Sequence, residues 1–246
     1  MKKNYETLLF DLDDTLIDIV QAEHIGLLHI HENFYNSLQF DEFKKYYQKI
    51  NRALWDNLGQ PGSTLRPKEI KYKRFIHLNE ELELNLDIET VAEEYEKKVG
   101  KSTNWLPGAK NAIEFLHQQG YTLGIVTNGV TSLQYLKYER HLLNNWFKCF
   151  IVSDEVGVSK PGSEIFSLAF SQLSNLSDSS FVPQPEKTLF IGDSLISDGQ
   201  GARNCKMDFC YINANNLEIK DSTIPIKFNI TSVSRLPKCL GHDDFE

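Results

Sequence analysis

Asp11 and Asp13 stand two residues apart, directly after the apolar run Thr7-Leu8-Leu9-Phe10, and Asp14, Thr15 and Leu16 follow them. A carboxylate can attack phosphorus and form an aspartyl-phosphate, which splits one hard hydrolysis into two easier steps. The leaving alcohol then needs a proton, and the second step needs a base for water; one carboxyl group can serve both by cycling. Asp11 suits the attacking role, and Asp13 lies near it without being forced into contact.

Three further polar clusters supply what such a reaction needs. They are Thr127-Asn128-Gly129, Ser159-Lys160-Pro161, and Gly192-Asp193-Ser194 with Asp198 five residues past Asp193. Phosphate oxygens require positive charge and hydrogen-bond donors, which Lys160, the Thr127 hydroxyl and loop amides can provide. Several carboxylates beside an anion repel it unless a cation bridges them. Hard oxygen ligands from Asp11 and Asp193 suit Mg²⁺.

The elements that must position these clusters are legible. Near-continuous apolar runs at Thr7–Phe10, Thr122–Val126, Cys149–Val152, Thr188–Ile191 and Phe209–Ile212 read as strands covered on both faces. A helix follows Pro107-Gly108 and stops at Gly120; another opens at Gly162 with Ile165, Phe166, Ala169, Phe170 and Leu173 on one face. Strand and helix in alternation predict an α/β, doubly wound domain with a parallel sheet. In such sheets ligands bind beyond the carboxyl ends of the strands, where all four clusters fall.

Residues 17–104 break the alternation. They hold helical periodicity without a convincing strand: Leu28, Phe34 and Leu38 mark one stretch, and Phe43, Tyr47, Ile50, Leu54 and Leu58 another. Pro67 suits the first residue of a third helix carrying Ile70 and Arg74, and Val91, Ala92 and Tyr95 suit a fourth. The expected organisation is a core of 1–16 and 105–246 with an all-helical insert at 17–104. The serine-rich span 174–187 reads as a surface loop, and His242–Glu246 as a frayed tail.

The whole chain sets limits. Its 246 residues, 41% hydrophobic and 24% charged, belong to a globular class. With Lys+Arg 26 against Asp+Glu 34 and a net charge of -8, the balance argues against a general nucleic-acid binder, which needs a basic face. No apolar stretch suits a signal peptide or a membrane span. Cys149, Cys205, Cys210 and Cys239 show no Cys-x-x-Cys spacing, so reduced thiols are expected. A cytoplasmic monomer or homodimer is the resulting expectation, with no nucleic-acid or membrane partner.

Taken in order, Asp-x-Asp-x-Thr at 11–15, Thr-Asn-Gly at 127–129, Lys-Pro at 160–161 and Gly-Asp-Ser with Asp198 resemble the four motifs of the haloacid dehalogenase superfamily. The resemblance spans essentially the whole chain, since the helical insert is similar to that superfamily's cap. It implies a Rossmann-like core, Asp11 as nucleophile and magnesium ligand, and Asp13 as acid/base with its backbone carbonyl on the metal. It further implies Thr127 and Lys160 on the phosphoryl group, Asn128 helping through its loop, and Asp193 completing the metal ligands. Asp198 would orient Lys160 or a metal-bound water. A carboxylate at Asp13 separates phosphatases from true dehalogenases in this superfamily.

Asn51-Arg52-Ala53-Leu54-Trp55, Arg74-Phe75 and Val156-Gly157-Val158-Ser159-Lys160-Pro161 resemble the pyrimidine nucleoside 5′-monophosphate phosphatase branch. A nucleotide is then the implied phosphate-ester substrate. The alternatives are a sugar-phosphate phosphatase (an acylneuraminate 9-phosphatase, for example), a phosphomutase, or a binding protein that keeps the fold without turnover. The last would be expected to lose the nucleophile, the acid/base or the lysine, and here all are present.

Simpler readings have less support. An EF-hand at Asp11 fails because Leu16 stands at the turn glycine and Ala22 at the bidentate glutamate. Thr127-Asn128-Gly129 alone would be a turn, and Asp198 alone a helix N-terminal carboxylate. Trp55 and Phe75 read as core. Arg74 divides evenly between a substrate contact and a solvated helix charge, and His24, His29 and His31 lack the spacing of neighbours on one helix face.

Overall fold

The computed structural model describes residues 4–58, 62–175, 182–219 and 223–245. In chain order the elements are β1 (Thr7–Phe10), α1 (Ile19–Phe34), α2 (Phe40–Leu58), α3 (Pro67–Glu81), α4 (Ile88–Ser102) and α5 (Ala109–Gln118). There follow β2 (Thr122–Thr127), α6 (Thr131–Arg140), β3 (Phe147–Val152), α7 (Ser153–Val156), α8 (Ser163–Asn175) and β4 (Thr188–Gly192). The chain closes with α9 (Gln200–Asn204), β5 (Asp208–Ile212), β6 (Ile226–Ile230) and α10 (Leu236–Cys239).

The strands form one sheet in the order β3-β2-β1-β4-β5-β6, and every pairing is parallel. This is the α/β, Rossmann-like architecture expected from the apolar runs. β1 is buried at all four residues, as a central strand covered on both faces must be. Leu9, Val126, Ile151, Ile165, Phe166, Phe190 and Phe209 join in one core cluster. Phe166 of α8 meets Phe190 of β4 edge to face, with centroids 5.0 Å apart.

Two compact units emerge: one of 1–18, 105–127 and 142–246, the other of 19–104 and 128–141. Among the described residues the second unit consists of helices and their connections, with Phe43, Tyr47, Phe75, Leu78, Val91, Tyr95 and Val99 in its core. It includes α6, which lies far beyond 104 in sequence. Leu133 of α6 packs against that core, the Arg140 Nε donates to the Thr103 carbonyl at 2.9 Å, and the Ser132 hydroxyl donates to Glu96 at 2.8 Å.

The tail departs from expectation. His242 and Phe245 lie against the Phe115 ring at centroid distances of 5.3 and 4.9 Å, and Tyr121 Oη is 3.2 Å from His242 Nε2. His242 and Phe245 are held by these ring contacts rather than frayed. The span 174–187 is part helix at Ser174 and Asn175 and a 3₁₀ turn at Pro185–Lys187; its residues 176–181 lie outside the described set. Among the described residues no helix is long and apolar enough to cross a membrane.

Candidate active site

Strand register gathers the polar clusters. Phe10 pairs with Ile125 on one side and Ile191 on the other. Asp11, Thr127 and Asp193 therefore stand at one carboxyl edge of the sheet, one or two residues past those pairs. The Asp11 amide donates to the Ile191 carbonyl at 2.8 Å, which fixes the backbone of the first carboxylate to β4.

Past Asp11 the chain folds back on itself. The amides of Leu16 and Ile17 both donate to the Leu12 carbonyl, at 2.9 and 3.0 Å, and the Asp14 amide donates to the Ile17 carbonyl at 2.8 Å. Asp14 closes this turn at φ 54°, a left-handed conformation that aspartate tolerates better than most residues. Leu12 is buried beneath the turn while Asp13 and Asp14 are partly exposed above it. The turn thus separates an apolar anchor from two partly exposed carboxylates.

Lys160 is the centre of the charge arrangement. Its Nζ donates to Asp11 Oδ1 at 2.6 Å and lies 2.8 Å from Asp198 Oδ1, with all three residues buried. The ammonium also sits 5.4 Å from the Phe190 ring centroid. Burial alone would lower the lysine, but the two carboxylates outweigh it and hold Lys160 above the usual ammonium range.

Asp198 is tied on its other side too. The Ser194 amide donates to its Oδ2 at 3.0 Å, and the Ser197 hydroxyl lies 3.4 Å from its Oδ1. The approach is close enough that a Cβ on Gly192 would collide with the Asp198 carboxylate, which favours glycine there.

Asp11, Asp193 and Asp198 each bring a carboxylate oxygen within 4.8 Å of the others. Burial, offset in part by Lys160, pushes Asp11 up to about 7. Burial and the charges of Asp11, Asp198 and Asp14 push Asp193 up to about 8. Three carboxylates share one ammonium, so the cluster is short of positive charge.

The other expected residues are placed as follows. Thr127 ends β2 and is fully buried. Asp13 lies outside the close carboxylate trio. Asn128 is the first residue of the segment 128–141 of the helical unit. Arg74 and Phe75 are buried in that unit, so Arg74 is not a solvated helix charge. His29 and His31 bond to Glu94 and the Leu38 carbonyl. Two contributors carried no signal in the sequence: Phe190, an apolar strand residue that faces Lys160, and the Ser194 amide, which any residue type there would supply.

The haloacid dehalogenase-like hydrolase family model matches residues 8–212. The HAD-hydrolase YfnB of Bacillus subtilis is 34% identical over 86% of this chain and 85% of its own. A crystal structure of YfnB bound to magnesium superposes with a TM-score of 0.81, covering 97% of this chain and 99% of that one. The pyrimidine 5′-nucleotidases PynA of Streptococcus pneumoniae and YjjG of Escherichia coli are 28% and 26% identical. Those matches cover 98% and 96% of this chain and 98% of each relative. Sheet order, carboxylate cluster and sequence agree: the chain belongs to the haloacid dehalogenase-like hydrolases.

Proposed function

We propose that this protein is a phosphomonoester hydrolase that works through an aspartyl-phosphate on Asp11. The observation that carries this reading is the Lys160 ammonium held 2.6 Å from Asp11 and 2.8 Å from Asp198. A cation fixed beside a carboxylate at a sheet edge suits a phosphoryl group brought to that carboxylate.

In the first step an Asp11 oxygen bonds to phosphorus while the bond from phosphorus to the leaving oxygen breaks, and Asp13 passes its proton to that oxygen. In the second step Asp13 takes a proton from water, the water oxygen bonds to phosphorus, and Asp11 departs as a carboxylate. Lys160 and the Thr127 hydroxyl hold the phosphoryl oxygens throughout, with Asn128 contributing from the loop after β2. Asp198 acts on Lys160 rather than on the substrate.

The donor set fits a hard divalent cation, because burial and neighbouring carboxylates raise the proton affinity of both groups: Asp198 and Asp13 act on Asp11, and Asp11, Asp198 and Asp14 act on Asp193. Mg²⁺ held by Asp11, Asp193 and the Asp13 carbonyl would offset that repulsion, keep Asp11 ionised and screen the phosphoryl charge. The magnesium-bound YfnB structure supports this assignment.

Pyrimidine nucleoside 5′-monophosphates are the proposed substrates, supported by near full-length similarity to PynA and YjjG. Phosphate release from a panel of nucleotides and sugar phosphates with Mg²⁺ tests this. Pyrimidine monophosphates are expected to lead the panel. A sugar phosphate in that place overturns the substrate, and no release from any ester overturns the reaction.

A further inference from the structure

The unit that holds the sheet has a cavity of about 400 Å³ lined by Gly108, Asn111, Ser234, Arg235, Lys238 and Phe245. None of these belongs to the candidate active site. Ligand pockets run from about 300 to 1,000 Å³, so the volume suits a small metabolite. One side is the start of α5, and the other is the turn Val233–Arg235 with α10. The two sides meet at Gly108. Its φ of 73° is left-handed, and a Cβ there would collide with the Ser234 side chain, so both backbone and packing favour glycine.

The charge in this lining has one sign. Arg235 and Lys238 stand three residues apart, a helical spacing that makes neighbours of two side chains and sets their like charges against each other. Other exposed cations of the chain find a carboxylate on their own helix: Lys73 has Glu69, Lys97 has Glu94 and Lys110 has Glu114, at 3.2 to 3.7 Å. Among the described residues Arg235 and Lys238 have no such partner, although the chain carries 34 acidic residues against 26 basic ones. Asp243 and Asp244 of the tail are exposed and pair with neither.

The neutral lining groups can donate as well. The Asn111 carboxamide carries two N–H bonds, and the Ser234 hydroxyl, now 3.0 Å from Ser232 Oγ, can rotate towards an occupant. Gly108 brings no side chain to cap α5, whose first-turn amides add partial positive charge. Phe245 supplies the one apolar surface, its ring held 4.9 Å from that of Phe115.

We propose that this cavity is a second ligand site, which takes a phosphorylated small molecule with its phosphoryl group on Arg235 and Lys238 and its remainder against Phe245. A tetrahedral dianion answers two cations and several donors at once, where a carboxylate brings one charge and two oxygens. The site is independent of the phosphatase reading, since it uses none of the residues assigned to the reaction.

The test is amide and aromatic NMR of the full chain titrated with phenylphosphonate, inorganic phosphate, benzoate and sodium chloride, none of which a phosphomonoesterase consumes. Phenylphosphonate is expected to shift the Gly108, Asn111 and Ser234 amides saturably and to move the Phe245 ring signals. Arg235→Gln with Lys238→Gln should weaken that binding at least about tenfold. Both residues are exposed and lie outside the catalytic machinery, so melting temperature and phosphate release should be unchanged in this variant.

Shifts that do not saturate, that chloride reproduces, or that persist in the double variant overturn the proposal. Benzoate binding as tightly as phenylphosphonate overturns the phosphoryl assignment. Inorganic phosphate binding as tightly, with the Phe245 ring unmoved, shows a site for the free ion and overturns the organic part of the ligand.

Discussion

Lys160 and Asp198 form a buried ion pair at 2.8 Å, and Asp198 is itself anchored by the Ser194 amide at 3.0 Å. The lysine that faces Asp11 is therefore held by a carboxylate that β4 and the turn after it place rigidly. Asp198→Ala should destabilise the fold by about 3 kcal/mol, the low end for breaking a buried pair, because Asp11 still holds the ammonium. A loosened Lys160 should also lower kcat/KM roughly 10²-fold. Urea unfolding and steady-state kinetics measure the two, and an unchanged kcat/KM would remove Lys160 positioning from the account.

The crowding of Asp11, Asp193 and Asp198 makes a prediction about metal. Mg²⁺ should raise the melting temperature, with about 2.7 kcal/mol of stabilisation at a hundredfold excess over its dissociation constant. Asp193→Asn should abolish that shift, yet melt no lower than the parent protein without metal, because a buried repulsion is gone. Calorimetry with and without Mg²⁺ checks both. A melting temperature indifferent to Mg²⁺ counts against the metal site.

Asp13 as acid/base has a signature in the leaving group. Asp13→Asn should lower kcat by about 10²–10⁴ for an alkyl phosphate such as a nucleotide. The first step needs little proton help when the leaving oxygen is a nitrophenolate, so single-turnover cleavage of 4-nitrophenyl phosphate should suffer much less. Equal losses on both substrates would point to a structural role for Asp13.

His141 closes α6 and lies 3.0 Å from the Thr103 hydroxyl through Nε2. Burial first, and the charges of Arg140 and Lys137 next, push it down to about 4 from an ordinary 6.5. Between those values the unfolded chain binds more protons than the folded one, so stability rises with pH there and is lost as pH falls from 6.5 towards 4. The ring is half-exposed, so the effect is about 1 kcal/mol after solvent screening. The stability gap between the parent protein and His141→Gln should shrink by that amount across the window, as read by denaturant titration at each pH. A constant gap would show that the ring is not held neutral.

Much of this architecture was legible because central strands and amphipathic helices advertise themselves. The runs at β1, β2, β4 and β5 are nearly continuous in apolar residues, and Phe43, Tyr47 and Ile50 repeat at helical spacing. Among the elements that escaped, β6 and α6 did so for plain physical reasons. β6 alternates half-buried and exposed residues at the sheet edge, so Ile226–Ile230 resembles a loop. α6 buries Gln134 and Lys137 rather than an apolar stripe, so its 3.6-residue period is hidden.

At the site, residue types and spacing located the carboxylates, but pairing across 149 positions could not be read from them. That Lys160 bridges Asp11 and Asp198 depends on the parallel register of β1 and β4 and on the return of the chain after β3. Arg74 shows the same boundary: its helix was evident, its burial against Tyr95 was not.

The central claim is that Asp11 carries the phosphoryl group between the two steps. The most direct measurement is a rapid acid quench of enzyme turning over cytidine 5′-monophosphate with a radiolabelled phosphoryl group, followed by peptide mapping. Label on the peptide that holds Asp11, formed within one turnover and absent from the Asp11→Asn protein, is the predicted result. Phosphate release that persists in Asp11→Asn, or label carried by another residue, would contradict it.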